Sequence, residues 1–331
     1  MKLTKPDYFD SFRCIASQCP DSCCKEWDVQ VDPEKTALYR SLSGDLGDRL
    51  REVLQDEDGQ TVMTIIDGRC PMWRQDGLCR IQAELGEEAL CRTCREFPRL
   101  THDYGDFIEM GLELSCPEAA RIILSSPSPA TVTIYIPGGE EPEYDTEAMD
   151  ILLRTRDKIR QILSDTVRPV NETLALALMY GYQAQTELDG AEEATFDPAT
   201  ALEEAKHFAK PADVSGVISF FAGLEILTDT WSARLAAPAP VEWSQRHLTL
   251  ARYFVDRYWL QAVSDYDLVS RVKLTVISCL MIRLLGGDLV STAQLYSKEI
   301  ENSIDNIEAI LDGAYAAPAF TDDRLLGLLL L

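Results

Sequence analysis

Nine of the chain's ten cysteines fall within its first 116 residues: Cys14, Cys19, Cys23, Cys24, Cys70, Cys79, Cys91, Cys94 and Cys116. Thiols packed that densely constrain the fold more than any other feature, because they must be cross-linked or must hold a metal. A disulfide framework fits badly, since nine is odd and Cys23 and Cys24 are adjacent. The opening segment MKLTKPDYFDSF has no apolar core of signal-peptide length. A cytoplasmic, reducing location is therefore expected, where clustered cysteines favour metal over disulfide. Thiolates are soft ligands that select zinc, copper(I) or iron–sulfur clusters.

The cysteines form three groups. The first is C-x4-C-x3-C-C from Cys14 to Cys24, and the second is Cys70 and Cys79. The third is C-x2-C at Cys91 and Cys94, followed after 21 intervening residues by Cys116. A structural zinc site and a 4Fe–4S cluster both take four thiolates. Nine donors could thus serve one site with spares or two sites with one left over. The tenth cysteine, Cys279, sits in the apolar run LTVISCLMIRLL and reads as a small core residue.

A stretch rich in proline, glycine and acidic residues, SSPSPATVTIYIPGGEEPEYDT, marks a boundary at 126–146. The expected fold is mainly α. A small cysteine-rich metal-binding unit with short strands occupies 1–125, and an α-helical domain occupies 147–331. In the first unit, Val29–Val31 and Val62–Ile66 read as strands, Asp32-Pro33-Glu34 opens a helix, and 87–97 reads as a helix stopped by Pro98. That helix would carry Cys91 and Cys94 on one face. Thr131–Ile136 reads as one strand within the linker. Helices are expected over 147–165, 170–186, 198–210, 212–236, 241–263, 266–286, 289–301, 303–316 and 321–330.

Net charge is −24, which disfavours a nucleic-acid partner. No run of 18 apolar residues exists, so no membrane partner is expected. The apolar tail LLGLLLL is expected to dock on the body of the protein.

The segments FRCIASQCPDSCCKEWDVQVD, GRCPMWRQDGLCRI, LGEEALCRTCREFPR and LSCPEAARIIL resemble the flagellin lysine-N-methylase family. The resemblance implies transfer of a methyl group from S-adenosylmethionine to surface lysines of flagellin. It further implies a cysteine-held iron–sulfur cluster of the 4Fe–4S type, with zinc as the alternative. No glycine-rich strand–turn–helix of the doubly wound methyltransferases is present, nor the C-x3-C-x2-C triplet of radical enzymes, so the resemblance locates no donor pocket. The alternative to an enzyme is a binding module stabilised by zinc or an iron–sulfur cluster.

Other residues carry weaker readings. His102 could be a ligand or a base, although a supporting role suits it better; His207 and His247 are expected only to pack. Arg92, Arg95, Arg99 and Arg121 could offset an anionic cluster or pair with nearby glutamates. Trp27 and Trp73 could shield a metal site. A lysine nucleophile must shed its proton, and Asp28, Asp32, Glu118 and Tyr104 are candidate bases.

Overall fold

The computed structural model describes the whole chain apart from residues 22, 24–28 and 58. Its strands are β1 (Lys2–Pro6), β2 (Val29–Val31), β3 (Leu54–Glu57), β4 (Gln60–Met63), β5 (Arg99–Asp103), β6 (Phe107–Leu112) and β7 (Thr131–Tyr135). Five short helices lie among them: α1 (Pro33–Ser41), α2 (Gly44–Val53), α3 (Arg80–Leu85), α4 (Arg92–Glu96) and α5 (Pro117–Leu124). The remainder is helical. It comprises α6 (Thr146–Leu163), α7 (Val170–Leu188), α8 (Pro198–Phe208), α9 (Ser215–Ala222) and α10 (Asp229–Ala236). There follow α11 (Gln245–Tyr258), α12 (Val269–Leu285), α13 (Leu289–Ile300), α14 (Ile304–Ala316) and α15 (Asp322–Leu330). The protein is mainly α, as its patterning predicts.

Capping residues set the helix starts. Asp32 accepts from the Lys35 N–H with Pro33 next to it, Asp145 accepts from Glu147 and Ala148, and Ser303 accepts from Asn306. Ser244 and His247 cap each other at the start of α11, so His247 does more than pack. Two expected helices are broken. The span 212–236 splits into α9 and α10, because Gly223 ends the first and Thr228 caps the second. The span 87–97 splits into a 3-10 turn at Glu87–Ala89 and the short α4, so Cys91 caps α4 and is not borne on its face.

The four-stranded sheet has the order β5-β6-β1-β7. In it β1 runs parallel to β6, with Lys2 opposite Phe107 and Thr4 opposite Glu109, and antiparallel to β7. β5 is antiparallel to β6, which sets His102 opposite Glu109. A second sheet has the order β2-β4-β3.

Among the described residues the two main apolar clusters follow this division. The smaller joins β2, α1, α2 and the cysteine-bearing loops through Val29, Tyr39, Leu50, Met63, Met72 and Cys91. The larger joins Phe9, Phe12, Phe107, Leu114 and the apolar side of α5 to the helices from α6 onward. Its centre is α12, in which every residue except Arg283 is buried. A helix apolar on all sides must be surrounded by protein. Cys279 lies there with no exposure, as an interior residue. Leu325, Leu326 and Leu329 of α15 join the same core, so the apolar tail docks on the body. Among the described residues no helix is long and apolar enough to cross a membrane.

Helices α7 and α12 pack tightly at Gly181, where an added Cβ would run into the side chain of Val272. Gly181→Ala therefore overpacks a rigid contact. It is expected to cost about 1–3 kcal/mol in denaturant unfolding, despite alanine's better helix propensity. A neutral or stabilising result would show that this helix pair can separate freely.

Candidate functional site

The cysteines gather in two neighbourhoods. Cys14, Cys19 and Cys116 lie near one another at the entry to α5. Burial pushes the Cys116 thiol up to about 11, and the nearby thiols of Cys19 and Cys14 add to that rise. Cys19 is likewise raised, first by burial and then by the charges of Asp21 and Cys14, against a backbone N–H that stabilises its thiolate. Asp21, two residues on, anchors this segment to α13: Gln294 donates to it at 3.0 Å and Lys298 at 3.2 Å. Gln294 also donates to the carbonyl of Ser115 at 2.8 Å.

The second neighbourhood surrounds Tyr39, a fully buried residue whose hydroxyl donates to the Ala89 carbonyl at 2.7 Å. That hydroxyl is held strongly in its protonated form, first by burial and then by the thiols of Cys91, Cys94 and Cys79. The Cys91 thiol is drawn below its ordinary range, chiefly because Cys94 hydrogen-bonds to it, with burial opposing. Cys70 is buried in the same apolar cluster, its sulfur 3.5 Å from that of Met63. Cys23 is exposed, and Cys24 lies outside the described residues. Soft donors at these two places suit a thiolate-binding metal. Among the described residues, however, no three His, Cys, Asp or Glu side chains form a ready coordination group.

The residues flanking the thiols are mostly engaged in local structure. Arg92 pairs with Glu96 at 3.0 Å, Arg95 with Glu88 at 3.8 Å and Arg121 with Glu118 at 2.7 Å. Arg99 lies over the ring of Phe12 and Arg69 over that of Trp73. Although burial opposes it, the Asp32 carboxyl is held below its usual range by the N–H groups of Arg92 and Lys35, which makes it a cap joining α1 to α4. Glu118 is held low by Arg121. Asp28 and Trp27 lie outside the described residues.

A cavity of about 530 Å³ lies elsewhere, between the four-stranded sheet and helices α6 and α11. Thr4, Leu100, His102, Phe107, Glu109 and Gly111 line it from the sheet, and Met149, Asp150, Arg156, Arg160, Arg252 and Arg257 from the helices. Strand alternation explains the first set. Cross-strand partners share a face, so Thr4, His102 and Glu109 point the same way, as do Leu100 and Gly111.

The cavity is strongly polar. Arg156 grips Glu109 through two bonds of 2.6 Å, its side chain only 4% exposed. Its third nitrogen, Nε, is buried and has no hydrogen-bond partner among the described residues, and the same holds for Nε2 of His102. Arg160 pairs with Asp256 at 2.6 Å. Deeper, Arg257 pairs with the fully buried Glu301 at 3.1 Å, and Tyr253 and Tyr258 both donate to that carboxylate. His102 titrates below its ordinary value, first through burial and then through the cations of Arg257 and Arg156, with Glu109 opposing. At neutral pH its ring is uncharged. Tyr104, stacked on Phe107 at 4.7 Å, is pushed up to about 12 by burial and the Glu109 charge, too high to act as a base.

Sequence reasoning named His102 here, and Tyr104 stacked behind Phe107, but missed Glu109, Arg156, Arg160, Arg252 and Arg257. The available signal was the placement of Arg156 and Arg160 among Leu152, Ile159 and Leu163, which are apolar positions of α6.

Over 135 residues the chain is 34% identical to the flagellar biosynthetic protein FliU of Salmonella muenchen, covering 38% of this chain and 78% of that protein. It is also 34% identical over 135 residues to the lysine-N-methylases of Salmonella typhimurium and Salmonella choleraesuis. The match covers 33% of each of these two, so the chain spans about a third of their length. No family model matches the chain. No solved structure matches it either.

The depressed titration of His102 has a consequence for stability. Since the folded value lies below the free value of about 6.5, the unfolded chain takes the proton more readily. The contribution is complete above that pH and is lost as pH falls through the folded value. Unfolding free energy should therefore decline on acidification below about pH 6.5, and His102→Asn should make that decline shallower. Denaturant titrations of both proteins at several pH values measure it; identical slopes would mean that His102 is not protonated on unfolding.

Proposed function

This chain belongs to the flagellin lysine-N-methylase family, and from that premise we propose that it transfers methyl groups from S-adenosylmethionine to lysine side chains of flagellin. The observation that carries the reading is the identity to FliU across most of that protein's length, shared with two proteins named lysine-N-methylase. The transfer is a displacement at carbon. The lysine Nζ lone pair attacks the sulfonium methyl group, the carbon–sulfur bond breaks and S-adenosylhomocysteine leaves. The new ammonium then sheds a proton.

Lysine is protonated in water, with a pKa of about 10.4, so the reaction needs desolvation and a proton acceptor. Among the candidate groups, His102 supports that role best. Its ring is neutral, its Nε2 has no partner among the described residues, and it lines the large cavity. The protein's own charge also suits the substrate, since a net −24 does not repel lysine side chains.

We assign metal binding to the cysteines, with Cys70, Cys79, Cys91 and Cys94 as one group and Cys14, Cys19 and Cys116 as the other; Cys23 and Cys24 complete the donor set. A 4Fe–4S cluster fits an all-thiolate donor set, as does zinc. When bound, such a centre supplies cross-links to a unit whose own apolar cluster is small. We place the protein in the cytoplasm, where flagellin subunits and reduced thiols are both found before export.

Two measurements check the reading. Flagellin co-expressed with this protein should gain mass in steps of one methyl group on lysine, and purified protein should reproduce this only with S-adenosylmethionine. Unmodified flagellin in both settings overturns it and leaves a metal-stabilised binding module ahead. Separately, Cys91→Ser and Cys94→Ser should lose iron or zinc from anaerobically purified protein, while Cys279→Ser, deep in α12, should retain it. Equal loss in all three variants would remove the distinction between ligand and core cysteine.

A further inference from the structure

The cavity under the four-stranded sheet has two chemically different ends. α6 runs along its wall, so position along that helix measures position along the cavity. Asp150 stands near the start of α6, close in the fold to Asp106, Phe107 and Tyr144, whose hydroxyl donates to Asp106 at 2.6 Å. Arg156 and Arg160 follow at roughly 9 and 15 Å of helix rise beyond Asp150. One end is therefore aromatic and acidic; the other holds arginines, with Arg156 paired to Glu109 and Arg160 to Asp157 and Asp256.

At the arginine end, Glu109 already occupies both terminal nitrogens of Arg156, and the remaining Nε–H is buried without an acceptor among the described residues. A buried, unsatisfied guanidinium donor is costly, and a ligand bearing an acceptor would relieve it. The Nε2 of His102, a residue of the cavity lining on the strand opposite Glu109, is a second buried polar atom with no partner among the described residues. At the other end, Phe107 and Tyr144 suit the face of a flat ring, while Asp106 and Asp150 suit its amine. The volume of about 530 Å³ fits a ligand of nucleoside–amino-acid size.

Gly111 gives the cavity part of its room. It sits in mid-strand on β6, where glycine usually weakens a sheet, yet its φ is not positive, so the backbone does not demand it. A Cβ built there meets nothing within 4 Å. The missing side chain leaves open space on the cavity wall.

We propose that this cavity is the methyl-donor site, taking a molecule that joins an amino-acid carboxylate to a purine nucleoside. The carboxylate lies at Arg156 and the purine at Phe107 and Tyr144. The proposal rests on the methyltransferase reading and adds the place and orientation of the donor, with His102 beside the arginine end.

The test uses the full chain, purified anaerobically with its metal, and calorimetric titration with S-adenosylmethionine and S-adenosylhomocysteine. Gly111→Leu should weaken both at least tenfold, Gly111→Ala by less, with metal content and melting temperature unchanged. Ultraviolet cross-linking of radiolabelled S-adenosylmethionine to the unaltered protein should mark peptides within 99–112 or 144–160, which needs no variant to fold. Undiminished binding by Gly111→Leu, or cross-links confined to other peptides, overturns the placement while the methyltransferase reading stands. No binding of either compound to the unaltered protein overturns both.

Discussion

The bidentate pair between Arg156 and Glu109 is the contact on which the arrangement of sheet and helices depends. It spans 47 positions of sequence and connects the middle of β6 to the middle of α6. Both groups are largely withdrawn from water, at 4% and 19% exposure. Removing one partner of such a pair leaves the other as an uncompensated buried charge, typically costing about 3–5 kcal/mol. The pair therefore sets the spacing of the two layers, and the cavity is the gap that spacing leaves. Arg257 and Glu301 repeat the device one layer deeper, where two tyrosine hydroxyls satisfy the remaining acceptor sites of the carboxylate.

The helical half was legible because its punctuation is local. Asp145, Asp197, Asp288 and Ser303 each stand immediately before a helix and accept from its first turn. The failures there were failures of length, as where Gly223 divides α9 from α10. The four-stranded sheet was far less legible. β7 was visible as an alternating run, but β1 acquires its meaning only from β6, more than 100 positions away. β5 carries His102 inward among charged and polar neighbours, so its alternation resembles that of an exposed loop, and in β6 the inward Glu109 interrupts an otherwise apolar run.

The cysteines illustrate a different limit. Their spacing argued for soft-metal chemistry, and their sequence groups did not predict their partners in space. Cys116 sits near Cys14 and Cys19, not with Cys91 and Cys94, which it follows in the chain. Cys79 belongs instead with the latter pair around Tyr39. Two strands separate Cys94 from Cys116, and the turn back across β5 and β6 carries the chain from one neighbourhood to the other. Of the arginines lining the cavity, Arg156 shows itself only by falling among the apolar positions of α6, a faint signal when one charged residue carries it.

The central position of β1 has a bearing on how the molecule assembles. This strand lies between β6 and β7 and has no other partners in the sheet. As the chain emerges from the ribosome, residues 2–6 must wait unpaired until residues 107–112 and 131–135 have followed them. The entropy of closing so long a loop is spent before any pairing is gained, which slows such contacts relative to local helices. All three strands precede α6 in the chain, so the floor of the cavity can be laid before the helices that cover it have appeared.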